Sequence, residues 1–77
     1  MKILFFGRLG DAIGREIQFD LPAGGCTVAE LRAALATRHG GLAAENVRAC
    51  INHEIAPETA LVLPSHEVAF IPPLSGG

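Results

Sequence analysis

Residues 27–41, TVAELRAALATRHGG, are the only stretch of this 77-residue chain that carries a full set of helical signals. Thr27 and Glu30 have the Thr-x-x-Glu spacing in which each side chain satisfies an orphan amide of a first helical turn. Val28, Leu31 and Leu35 fall on one stripe, and the intervening alanines favour helix. Arg38 and His39 stand at the negative end of the helix dipole, and Gly40 and Gly41 supply a stop. The spacing predicts a single main helix of about 12 residues. With one helix available, the remaining apolar material must be organised as sheet.

The segments on either side read that way. Residues 2–7, KILFFG, form a short apolar run of the kind expected in an interior strand buried on both faces, and Gly7 ends it. Leu9 and Ile13, four apart and followed by Gly14, predict one helical turn. Ile17, Phe19 and Leu21 alternate with Glu16, Gln18 and Asp20, and Pro22 with Gly24 and Gly25 breaks this second strand, which is expected to pair with the first. Val47, Ala49 and Ile51 alternate with Arg48, Cys50 and Asn52, giving a third strand closed by a turn over residues 52–54. Pro57 and Pro64 bracket a looser segment, and residues 67–71 form the last strand. The economical packing is an α+β roll, a mixed four- or five-stranded sheet with one helix across one face. The opposite face is left uncovered.

Composition says what that face should be. Hydrophobic residues reach 49% before the nine glycines are counted, whereas ordinary domains hold about 45–50% with glycine included. A chain this short forms one domain with too little interior for so much apolar surface. An exposed apolar patch is therefore expected, and such patches mark partner interfaces.

Charge and cysteine content remove several classes of function. A net charge of −2 with six scattered Lys and Arg argues against nucleic acid. No apolar run approaches the roughly 20 residues needed to span a bilayer, and the start lacks the pattern of a cleaved leader, so a cytoplasmic protein is expected. Cys26 and Cys50 form no Cys-x-x-Cys pair and are expected as two buried thiols.

A self-sufficient enzyme should show a nucleophile beside a base, paired carboxylates or a metal cluster. His39, His53 and His66 are too widely spaced for local metal ligation, Cys50 lies within a strand as a structural thiol, and no phosphate-binding glycine loop is present. The chain alone is expected to be non-catalytic, with no metal and no bound cofactor.

Attention then falls on residues 71–77, IPPLSGG. Two prolines hold the segment extended, and Gly76 and Gly77 leave the α-carboxylate as the least hindered acyl group a polypeptide can offer. A frayed end or added scar would not ordinarily follow an apolar strand and a double proline directly. The expected organisation is a folded domain over residues 1–71 and a flexible tail over 72–77 that threads a narrow channel in a partner.

ILFFGRLGDAIG, TVAELRAAL, CINHE and EVAFIPPLSGG together resemble the molybdopterin synthase small subunits, the MoaD-type sulfur carriers, over nearly the whole chain. The resemblance implies the ubiquitin-like β-grasp fold. It also implies a chemistry: an activating adenylyltransferase/sulfurtransferase uses ATP to form an acyl adenylate at the last glycine, and sulfur replaces AMP to give a thiocarboxylate. The tail then enters the large subunit of molybdopterin synthase, a heterotetramer, and gives sulfur to a cyclic pyranopterin precursor. On this sequence the resemblance assigns the reacting group to Gly77 and channel passage to Gly76. It assigns partner binding to Phe6, Ile71, Pro73, Leu74 and Ser75.

Two departures stand out. Gly10 takes a position where the family often carries a charge, and the turn at Pro64, Ser65 and His66 replaces a more usual Asp-Gly. Two other readings fit a Gly-Gly ending. One is a carrier for a different thiolated metabolite, such as a thiamin-thiazole carrier, against which the Phe-Phe and Pro-Pro context argues. The other is a ubiquitin-like protein modifier or interaction domain.

Overall fold

The fold was analysed in a computed structural model, which describes residues 1–43 and 47–72. Strand β1 (Lys2–Phe5) leads through helix α1 (Arg8–Ile13) to β2 (Glu16–Gln18). A short β3 (Cys26–Thr27) runs directly into the main helix α2 (Val28–Ala36), and a 3₁₀ turn (Gly40–Ala43) follows. The chain then forms β4 (Arg48–Ile51), β5 (Glu54–Ala56), β6 (Leu61–Val62) and β7 (Val68–Ile71). Five strands make a mixed sheet in the order β2-β1-β7-β4-β5, in which β1 and β7 are parallel and the other neighbours antiparallel. This is the expected β-grasp roll.

The helix begins as its sequence requires. Thr27 Oγ1 accepts from the Glu30 amide at 3.1 Å, and Glu30 Oε1 accepts from the Thr27 amide at 2.9 Å. The Thr27 amide, and the Thr27 hydroxyl at 3.1 Å, both donate to Glu30 Oε1 and hold the carboxyl below the usual carboxylate range. The two remaining first-turn amides find partners that local sequence could not reveal: Val28 donates to the Ala60 carbonyl and Ala29 to that of Glu58. Helix α2 covers nine residues and ends at Thr37, short of the glycines expected to stop it. The Thr37 hydroxyl donates to the Ala34 carbonyl, and the Arg38 and His39 amides both donate to Leu35. These bonds finish the last turn early.

Val28, Leu31 and Leu35 are buried in one cluster with Ile3, Phe5, Val68 and Phe70 from the inner sheet face. Phe5 and Phe70 are register partners across the β1–β7 pair, and their rings stack at 5.8 Å. Burial of each such side chain contributes about 1.5–3 kcal/mol, so this cluster supplies most of the fold's cohesion.

Several expectations need correction. Strand β1 is interior but not buried on both faces: Ile3 and Phe5 point into the core, while Leu4 is half-buried and Phe6 exposed. Four apolar residues in a row hide the alternation. The second strand is three residues long, although Met1 and Phe19 extend the β1–β2 pairing by exchanging bonds of 2.8 and 2.9 Å between amine, amide and carbonyl groups. The segment between Pro57 and Pro64 holds β6, which pairs with β3 in a second small sheet. Cys50 is buried as expected, but Cys26 is only half-buried.

Both departures have a structural account. A Cβ at Gly10 would lie 2.9 Å from the Phe5 carbonyl oxygen, so the close approach of α1 to β1 favours glycine there. The turn at Pro64 and Ser65 is closed twice, by the His66 amide to the Leu63 carbonyl and by the Leu63 amide to His66 Nδ1.

Arg32 ties α2 to the rest of the molecule. Its guanidinium grips Glu58 with two bonds of 2.8 and 2.9 Å, donates to the Leu42 carbonyl at 3.0 Å and lies 5.6 Å from the Phe70 ring centre. Arg32→Ala should cost about 2–3 kcal/mol, a fall in melting temperature on the order of 10 °C. Arg32→Lys should recover less than half of it, because an ammonium cannot reproduce the fork. Hydrogen bonds from Arg32, reinforced by its charge, hold the Glu58 carboxyl below its ordinary value. The resulting stability is present above the unfolded glutamate pKa of about 4.3 and is lost as pH falls through the lower folded value. Acid melting curves should therefore be shallower in this window for Glu58→Gln than for the wild type.

Candidate functional site

Side chains on the outer face of the sheet are fixed by strand register. Leu4 pairs with Ala69, Ala69 with Cys50, and Cys50 with Ile55, so one apolar row crosses four strands. Glu16 opposite Leu4 ends the row on β2. A second row begins at Phe6, whose amide donates to the Phe70 carbonyl at 3.1 Å and so continues β1 beside β7. Ile71 and its partner Arg48 complete that row.

Among the described residues no helix covers these rows. Phe6 is 50% exposed and Ile55 63%. Leu4, Phe6, Cys50, Ala69 and Ile71 line a shallow hollow of about 160 Å³, with His53 and Glu67 at its polar edge. His53 Nε2 and Glu67 Oε2 lie 3.1 Å apart, and Lys2 and Glu16 pair at 3.6 Å on the far side. An apolar centre inside a charged rim is the anatomy of a protein-docking surface. This is the face on which surplus apolar surface was expected.

The rim is held by a tight hairpin. Asn52 and His53 have φ of 50° and 72°, as a two-residue turn with both residues left-handed requires. The Asn52 amide donates to the Glu67 carbonyl and Asn52 Oδ1 accepts from the Glu67 amide, so the turn is bonded to the entrance of β7.

Among the predicted site residues, Phe6 and Ile71 come together at one end of the hollow. Pro73, Leu74, Ser75, Gly76 and Gly77 lie outside the described residues. Leu4, Cys50, Ile55 and Ala69 share the face but escaped the sequence reading as surface residues. For Leu4, Cys50 and Ala69 the signal was present, since each is next to a core residue of its own strand, whereas β5 holds no core residue from which Ile55 could be read. Cys50 is buried among these apolar neighbours, and Cys26 lies on the separate small sheet, its thiol pushed up by burial and by the nearby Glu30 charge. Among the described residues no three of His, Cys, Asp and Glu gather as metal ligands, and no helix is long and apolar enough to cross a membrane.

Strand order, helix placement and the exposed apolar face together define a ubiquitin-like β-grasp domain. Residues 3–77 match the ThiS family, and the chain belongs to that family. No curated protein matches the sequence. Among solved structures, SAMP1 from Haloferax volcanii is similar with a TM-score of 0.78 and 25% identity, over 99% of this chain and 97% of that one. Another structure, of H. volcanii small archaeal modifier protein 1, gives 0.77 and 23% over 95% of each chain. A Pyrococcus furiosus protein assigned provisionally as molybdopterin converting factor, subunit 1, has the same fold, with a TM-score of 0.79 and 21% identity over 95% of each chain.

Neighbouring phenylalanines on opposite faces provide a direct check. Phe5→Ala empties the core beside Phe70 and should cost about 3–5 kcal/mol. Phe6→Ala removes a half-exposed ring and should cost under about 1 kcal/mol. Urea unfolding of both variants reads the difference, and equal losses would place Phe6 in the core.

Proposed function

We propose that this chain is the sulfur-carrying small subunit of a molybdopterin synthase, with the α-carboxyl of Gly77 as the group that carries sulfur. One observation supports this reading above the others: Ile71, at the edge of the apolar hollow, is followed immediately by the tail. Five residues beyond Pro72 reach at most about 18 Å. A partner seated on Phe6 and Ile71 therefore has the terminal acyl group within a short, defined radius. The family match also runs through Gly76 and Gly77.

A carboxylate is a poor acyl donor, since its leaving group would be oxide. Adenylation removes this barrier: a Gly77 carboxylate oxygen attacks the α-phosphorus of ATP, pyrophosphate leaves, and the carbonyl becomes electrophilic. Sulfide-level sulfur from the donor, as hydrosulfide, then attacks the carbonyl, AMP leaves, and loss of the thioacid proton gives the thiocarboxylate. With no Cβ at 76 or 77, the carbonyl can be approached from either side. The thiocarboxylate next enters the large subunit and gives its sulfur to a cyclic pyranopterin precursor, two carriers serving each molybdopterin. The body contributes docking, while ATP is consumed by the partner.

A second reading is favoured by the 25% identity to a protein named a modifier. In it, a lysine amine of a target protein attacks the same acyl adenylate and forms an isopeptide bond.

Incubation with the activating enzyme, ATP and a sulfur donor separates the two. The carrier reading expects an intact-mass gain equal to exchange of one oxygen for sulfur, and deletion of Gly77 should abolish it without changing the melting temperature. A ladder of conjugates without that gain would support the modifier reading, and neither product would exclude both. Phe6→Ala should weaken titration with the large subunit at least about tenfold, the loss of an aromatic anchor.

A further inference from the structure

The start of the tail is not free to leave the body in any direction. Gly7, just past β1, has φ of 58° and ψ of −140°, a combination open essentially to glycine. A Cβ built there would lie 2.9 Å from Pro72 Cγ and 3.6 Å from Pro72 Cδ. Under 3 Å between carbons is a clash, and the obstacle is a proline ring whose φ is fixed, so it cannot rotate aside as a flexible chain end would. Pro72 is half-buried in this seat. The seat adjoins Phe6, which precedes Gly7, and Ile71, which precedes Pro72, so it sits at the edge of the docking hollow.

We propose that Gly7 is a positioning residue for the terminal acyl group: its missing side chain forms the seat for Pro72 and so sets the direction in which the chain leaves the docking face at Pro72. This rests on the carrier reading above. A tail of five residues has little length in which to correct a wrong start. Misdirecting its first residue therefore costs reaction at Gly77 more than it costs docking at Phe6. The closely matched geometry that favours fast acyl chemistry makes such an error expensive in rate.

The test must separate the lost seat from the strained backbone of an L-residue at Gly7. Four chains serve: wild type, Gly7→Ala, Pro72→Ala, and the double variant. Removing the proline ring takes away the atoms an alanine Cβ would strike and leaves the backbone strain untouched. A fifth chain, made by chemical ligation, carries D-alanine at position 7, which accepts positive φ and directs its methyl away from Pro72. Each is examined for the amide chemical shifts of Ile71, Leu74, Ser75, Gly76 and Gly77, for affinity toward the activating enzyme, and for the initial rate of thiocarboxylate formation.

Gly7→Ala should shift the tail amides, leave affinity within about threefold and lower the rate by at least about tenfold. The double variant should regain most of the rate lost relative to Pro72→Ala, and the D-alanine chain should behave as wild type. Equal rate losses from Gly7→Ala in the two proline backgrounds would overturn the proposal, as would unshifted tail amides. If the tail amides move as expected while no chain, wild type included, acquires sulfur, the seat stands and the carrier reading fails.

Discussion

Helix α2 closes the inner face of the sheet almost by itself, and everything else follows from having only one such element. Val28, Leu31 and Leu35 meet Ile3, Phe5, Val68 and Phe70 in a dry cluster, and the stack of Phe5 on Phe70 joins the two parallel central strands through it. Arg32 and Glu58 anchor the helix from the side, while the turn before β6 caps its first amides. A second helix able to cover the outer face is absent among the described residues. Phe6 and Ile55, with half-buried Leu4 and Ile71 around the buried Cys50 and Ala69, therefore form an apolar face that water contacts until another protein does.

In the proposed function, that asymmetry lets the chain take part in chemistry by docking. The sheet presents an apolar hollow, and its central strand β7 ends beside it at Ile71. The reacting group in the proposed function is part of the main chain, so no side chain of the body need be a nucleophile, an acid or a ligand. In that reading partner enzymes supply the catalytic groups, and this chain supplies an acyl end within short reach of a recognisable surface. Gly7 and Pro72 extend this logic to direction.

Much of this was legible in the chain, and the parts that were not have physical reasons. The Thr27 and Glu30 box announced the helix start because capping is local. Its end was misplaced because Thr37 bonds back to Ala34 before the glycines are reached. The β3 and β6 pair was missed because two-residue strands carry no periodicity and because their pairing is long-range. Phe6 and Ile71 were found as partner-binding candidates through resemblance, whereas Ile55 was not singled out. The exposed face itself was anticipated from composition and a single helix. Its membership required register, which depends on strands distant in sequence. The seat for Pro72 was beyond sequence reasoning altogether, since the two residues meet only once β1 and β7 lie side by side.

The most direct measurement compares two chains that differ only at the last atom group: the natural Gly77 acid and a semisynthetic Gly77 α-carboxamide. Both should fold alike and titrate the large subunit alike, because the docking face is untouched. The acid should take up and deliver sulfur, and the carboxamide, which offers no oxygen nucleophile suited to adenylation, should do neither. Sulfur delivery by the carboxamide at the rate of the acid would contradict the account.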